Sequence, residues 1–139
     1  MSRLPFGEKL KPHNVPRKFI LYWLPVYGYM GAIFYLSSLS RPPEQLYLFN
    51  WDKLSHCLEY VILGMLVIRA LNAQYSKYVF FHLQLIAFFI TALYGASDEF
   101  HQKFVFGRNA NLFDWVADSV GAAIGVFIIF KRRKLKWQG

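Results

Sequence analysis

The chain has 139 residues, room for one compact unit, and 55% of them are apolar, with a mean hydropathy of +0.25. That balance argues against an ordinary soluble domain, because the apolar runs reach the length that crosses a bilayer. The net charge of +8 does not mark a nucleic-acid partner: the basic residues gather beside hydrophobic segments near the chain ends, with no aromatic-basic platform between them.

Residues 1–18 carry Arg3, Lys9, Lys11, Arg17 and Lys18 with prolines at 5, 12 and 16, the composition of a basic, poorly ordered tail. The first hydrophobic span is predicted over 19–38. It carries Pro25 one turn inside, where the missing N–H kinks a helix that a bundle tolerates. No small-x-small cleavage pattern follows it, so it reads as a retained anchor. Pro42 and Pro43 then forbid helix continuation. The second span is predicted over 54–71, the third over 79–97 and the fourth over 112–130. Each approaches the roughly 20 residues needed to cross about 30 Å of hydrocarbon. The link from Asn72 to Tyr78 is short enough to make spans two and three antiparallel neighbours. Gly107-Arg108-Asn109 marks a turn before the fourth span, and residues 131–139 form a second basic tail. The expected fold class is therefore all-α: a polytopic four-helix transmembrane bundle.

Orientation follows from Lys and Arg, which cytoplasmic segments retain. With both termini inside, twelve of the sixteen basic residues are cytoplasmic, and only Arg41, Lys53, Lys103 and Arg108 lie outside. The acids sort the other way. Glu8 alone falls inside, while Glu44, Asp52, Glu59, Asp98, Glu99, Asp114 and Asp118 fall at the outer ends. An ionisable residue within a span costs about 2.5–3.5 kcal/mol on insertion scales, so Glu59 and Asp118 need partners or water.

Helical spacing predicts where these groups point. Asp52, His56 and Glu59 share a stripe if the second helix begins by residue 52. Thr91, Tyr94, Asp98, His101 and Gln102 share one on the third helix if it runs through 102, with Glu99 about a quarter-turn away. Asp114 and Asp118 share a stripe with Gly121 and Gly125, a close-packing seam that turns the acids inward. Each group also has a plain structural reading. His56 and Glu59 fit an ordinary i, i+3 pair, Asp114 fits a helix cap, and His13, His82 and the single cysteine, Cys57, fit simple packing. Seven acids with His56, His101, Gln102 and Arg108 at one face exceed what caps explain, and point to an outward pocket.

Three chemistries fit such a pocket. His56, Glu59, Asp98, Asp114 and Asp118 offer oxygen and nitrogen ligands for a divalent metal ion, although their spacing matches no zinc signature. His56 or a buried carboxylate offers acid–base catalysis. Arg108 offers a bidentate partner for a phosphate or carboxylate, or for Asp98 or Asp114.

Three segments in order, Asp52-Lys53-Leu54-Ser55-His56 with Glu59-Tyr60 and Gly64, Ser97 to Gln102, and Gly107-Arg108 with Asp114, Asp118 and Gly121, resemble the VanZ-like membrane proteins. That family is named for a protein associated with teicoplanin resistance. The resemblance spans about residues 52–125 and implies a multi-pass protein of the bacterial cytoplasmic membrane, active in the cell envelope. It draws attention to Asp52, Lys53, His56, Glu59, Asp98, Glu99, Gln102, Arg108, Asp114 and Asp118, and it supplies no substrate. The expectation is an extracytoplasmic pocket that binds or processes a polar headgroup, such as a lipid-linked envelope precursor. In it His56, Glu59, Asp98, Asp114 and Asp118 do the chemistry, while Asp52, Lys53, Glu99, Gln102 and Arg108 bind. A non-catalytic protein that shields the membrane from lipoglycopeptides, and a small transporter or proton-linked subunit, stand as alternatives. Membrane lipids are the expected partners.

Overall fold

The computed structural model describes residues 15–40, 51–75, 80–108 and 110–136. They form four α-helices: α1 (Val15–Ser37), α2 (Trp51–Gln74), α3 (Phe80–Gln102) and α4 (Leu112–Lys136). All four sit where the hydrophobic runs place them. Most run longer than the apolar segment alone, because polar turns continue the helix beyond it. α1 starts at Val15, inside the segment read as a tail, and α4 continues to Lys136 through part of the second basic tail. Among the described residues, two helices contain stretches long and apolar enough to cross a membrane, Phe19–Ser37 and Lys53–Gln74. The Pro-Pro segment and most of the N-terminal tail lie outside the described residues.

Contacts between helix ends fix the arrangement. The C-terminal end of α1 meets that of α3 through Ser37 and Asp98, and the N-terminal end of α2 meets that of α4 through His56 and Asp118. Near the opposite end, Trp23 Nε1 donates to Gln74 Oε1 at 3.1 Å, and the Arg69 guanidinium lies over the Tyr22 ring. The helices therefore alternate up and down, and the polar ends of all four share one end of the bundle.

α2 and α4 approach most closely. A Cβ at Gly121 would run into the carbonyl oxygen of Cys57, and one at Gly125 into that of Val61. One turn further on the α2 side, a Cβ at Gly64 would stand 2.9 Å from the Ala122 carbonyl oxygen. Backbone thus packs on backbone along the seam that the Gly121/Gly125 spacing predicts. A core of Val26, Ile33, Leu63, Val67, Ile68 and Val126 fills the remaining interior. Large apolar side chains such as Ile20, Leu24, Phe89, Leu93 and Phe127 face outward around the bundle, an exposure that water penalises and lipid does not.

Candidate functional site

The glycine seam sets the site. Asp118 lies one turn before Gly121 on α4, and the close α2–α4 approach encloses it completely, with 0% exposure. Its Oδ1 lies 3.1 Å from Nδ1 of His56, a buried residue on α2. On the third side α3 offers Gly95, where an added Cβ would stand 3.2 Å from the Asp118 Cβ, from its Oδ2 and from the Tyr60 ring. A side chain there would press on the carboxylate. One turn beyond Gly95, Glu99 is only 7% exposed and its Oε2 accepts the Asn111 N–H at 3.1 Å.

His56, Glu99 and Asp118 each offer one nitrogen or oxygen, and these atoms all lie within 4.8 Å of one another. Asp118 Oδ2 and Glu99 Oε1 have no hydrogen-bond partner among the described residues. Buried carboxylate oxygens without a donor are costly and call for an explanation. Burial pushes the Glu99 carboxyl up to about 7, and the negative charges of Asp118 and Asp114 add to that; the Asn111 N–H and His56 oppose it. At the rim, Lys53 Nζ lies 3.5 Å from Asp114 Oδ1.

Glu99 also opens the site sideways. Between α3 and α4 it lines a cavity of about 380 Å³ together with Ala96, Lys103, Asn111 and Trp115. Trp115 forms its floor, the indole Nε1 donating to the Ala92 carbonyl at 3.0 Å. The same Trp115 lines an apolar cavity of about 540 Å³ with Phe89, Leu93, Val116 and Val120. Val120 and Ala123 carry it on toward Ile124 and Phe127. A chamber that sets Glu99, Lys103 and Asn111 in a mainly apolar wall with Phe100 and Leu112 thus shares Trp115 with an apolar trough along one helix–helix groove, each of a size that holds a small-molecule moiety.

A second polar set joins α1 to α3. Asp98 accepts the Ser37 hydroxyl at 2.6 Å on Oδ1 and the Gln102 amide at 2.9 Å on Oδ2. Ser38 Oγ lies 3.0 Å from His101 Nε2, and the Tyr94 hydroxyl donates to the Met30 carbonyl at 2.6 Å. Arg108 reaches across to donate to the carbonyls of Leu36 at 2.9 Å and Leu39 at 3.3 Å. Gly107 enables that reach: its φ is +82°, and a Cβ would stand 2.8 Å from the Ser40 carbonyl oxygen. The turn caps the last carbonyls of α1.

The VanZ/LLP1 family model matches residues 4–133. The chain belongs to the VanZ/LLP1 family. No curated protein and no solved structure matches it. It is a membrane protein of that family, and the three segments that carry the VanZ resemblance separate into the two sets just described. Of the five residues expected to do chemistry, His56 and Asp118 come together. Asp98 is turned to α1 with both oxygens engaged, Asp114 faces Lys53, and Glu59 is half-buried; none of these three joins the 4.8 Å group. Glu99, expected only to bind, takes the third place in it. Gln102 and Arg108 serve the α1–α3 contact, and the Asp52 side chain lies outside the described residues.

The sequence reading passed over Lys103, Asn111 and Trp115. A signal for the first was present: Lys103 lies four residues after Glu99, just past the last residue of α3. Asn111 and Trp115 become neighbours of Glu99 only through the α3–α4 packing, which no local spacing reveals.

Proposed function

We propose that this chain crosses the bacterial cytoplasmic membrane four times with both termini inside, and recognises a lipid by its polar headgroup at the extracytoplasmic face. The headgroup enters sideways between α3 and α4. The distribution of Lys and Arg supports the orientation. The observation that carries the reading is Glu99, which is at once a member of the buried His56–Asp118 group and a wall of the lateral cavity.

In this reading the acyl chain lies in the apolar trough against Phe89, Val116 and Val120, and the headgroup occupies the chamber above Trp115. An anionic portion of the headgroup meets the Lys103 ammonium and the Asn111 amide at the chamber wall. Lys53 pairs with Asp114 and Arg108 with α1 carbonyls, so Lys103 takes the anion-holding part first expected of those two. A lipid-linked envelope precursor has the required chemistry, and engagement of such a lipid links the site to glycopeptide resistance of the teicoplanin type.

Photolabelling tests the reading. An anionic phospholipid bearing a diazirine on its acyl chain, presented in vesicles, is expected to label Phe89, Leu93, Val116 and Val120 above the outward apolar residues of α1. Val120→Trp, which fills the trough, should reduce that labelling several-fold. Even labelling of Ile20, Leu24 and the α3–α4 residues, indifferent to Val120→Trp, would reject lateral entry.

A further inference from the structure

Asp118 is fully enclosed and Glu99 more than nine-tenths so, yet each keeps one carboxylate oxygen without a hydrogen-bond donor among the described residues. The two carboxylates share one site with one imidazole, each residue offering one donor atom. The described lysines and arginine nearby point elsewhere: Lys53 lies against Asp114, Arg108 on the α1 carbonyls, and Lys103 over the Phe100 ring. That leaves the His56 imidazole, a cation only when protonated, as the described base that faces the two carboxylates. A buried carboxylate without compensation is among the costlier groups a fold can carry. Positive charge at a point common to the three donors removes that cost.

We infer that His56, Glu99 and Asp118 hold one divalent transition-metal ion, of the Zn²⁺ or Mn²⁺ type. The donor atoms lie within 4.8 Å of one another. Ligands sharing an ion at about 2.0–2.2 Å stand at most about 4.4 Å apart, so a small side-chain adjustment closes the set. His56 Nδ1 and Asp118 Oδ1, at 3.1 Å, are already at the spacing of neighbouring ligands. An imidazole nitrogen beside two carboxylate oxygens suits Zn²⁺ or Mn²⁺ better than Ca²⁺ or Mg²⁺, which take oxygen alone. The supports are those of a built site. The Asn111 N–H fixes the second Glu99 oxygen, and Tyr60 with Gly95 confines the Asp118 carboxylate, the outer contacts that orient metal ligands.

Three protein donors leave coordination positions open. Glu99 also lines the α3–α4 chamber, so an ion held through it would supply charge that draws an anionic headgroup toward a site otherwise rich in carboxylates. That last role rests on the headgroup reading; occupancy of the ion does not.

The untagged full chain, purified in detergent, stripped with EDTA and dialysed against buffered Zn²⁺, is expected to retain one equivalent by elemental analysis. Calorimetric titration with Zn²⁺ should show Glu99→Gln and Asp118→Asn each weaker by at least about tenfold, the lower end of what even outer-shell changes cost. Glu59→Gln should bind as the wild type does. Mn²⁺-loaded wild type should show the nitrogen hyperfine coupling of one imidazole, a readout that no variant's failure to fold can obscure. Absence of stoichiometric Zn²⁺ and Mn²⁺ in the wild type, absence of nitrogen coupling, or unchanged affinity in both carboxylate variants overturns the inference, water then being the occupant. No lipid is added in these experiments. Metal uptake lost while photolabelling survives sinks the ion alone, and the reverse sinks the headgroup reading alone.

Discussion

Asp98 and Glu99 are adjacent in sequence and belong to different parts of the molecule. Asp98 looks toward α1, where its two oxygens take the Ser37 hydroxyl and the Gln102 amide. Glu99, turned about 100° around the helix, looks toward α2 and α4, where one oxygen takes the Asn111 N–H and the other has no partner among the described residues. The same division holds for their surroundings. On the α1 side Tyr94, His101 and Arg108 each have a partner across the helix contact. On the other side Asp118 repeats the half-answered state of Glu99. Among the described residues, the difference separates a polar seam that holds helices together from a group whose remaining oxygens no described donor answers.

The largest expected effect removes the difference altogether. Gly121→Leu drives a side chain against the Cys57 carbonyl and parts α2 from α4, so His56 and Asp118 separate and the whole bundle loosens. Overpacking of this kind costs about 1–3 kcal/mol and more where backbone must move. Reversible unfolding in mixed detergent micelles should place this variant beyond the upper figure. Wild-type stability would mean that the backbone contact, and with it the enclosed carboxylate, is wrong.

A paired substitution sharpens the comparison next. Asp98→Ala strands the buried Gln102 amide and leaves the Ser37 hydroxyl only the Phe34 carbonyl, which costs about 1–3 kcal/mol, and it should leave photolabelling and Zn²⁺ uptake in place. Asp118→Asn keeps a hydrogen bond to His56 while removing the negative charge that faces the imidazole. It should cost about 1–3 kcal/mol, because the hydrogen bond to His56 survives while its charge assistance is lost, and it should lose the uptake. If the two variants exchange these behaviours, the seam and the cluster have been assigned the wrong way round.

Most of this architecture is legible in the amino-acid sequence. Hydrophobic runs placed four helices, and the Gly121/Gly125 spacing placed Asp118 inward, because both signals are local. The stripe Tyr94, Asp98, His101, Gln102 was also legible as one helical face. What that face meets was not. Whether a stripe meets a donor-rich neighbour or an acid-rich one depends on which helix packs beside it, and that is decided by long-range contact of α1 with α3 rather than by periodicity. Hence Asp98, aligned with the richest stripe, looked like the chemist, and Glu99, a quarter-turn off it, looked peripheral.

Arg108 shows the same limit in reverse. An arginine in a polar loop beside seven acids reads as an anion receptor, yet here it closes the end of α1. Arg108→Ala should cost about 1 kcal/mol, the usual worth of such bonds at a partly exposed helix end, and leave the preference for anionic over zwitterionic lipid unchanged in competitive photolabelling. A lost preference would return Arg108 to the binding role and move the headgroup toward α1.

The smallest effect on stability carries the finest discrimination. Lys103 is exposed on the wall of the α3–α4 chamber, and its only described contact is with the Phe100 ring at 5.9 Å, so Lys103→Ala should change the unfolding free energy by no more than about 0.5 kcal/mol. Its charge nevertheless stands where an anionic headgroup would enter. The variant should lose most of its preference for anionic lipid while keeping Zn²⁺ uptake, because the cluster lies behind Glu99 and does not use the lysine. Added salt should erode the wild-type preference and leave the variant's labelling flat, as screening acts on an exposed charge and hardly on a buried one. Equal salt dependence in both proteins would take Lys103 out of the binding surface and leave the buried group as the sole determinant of headgroup choice.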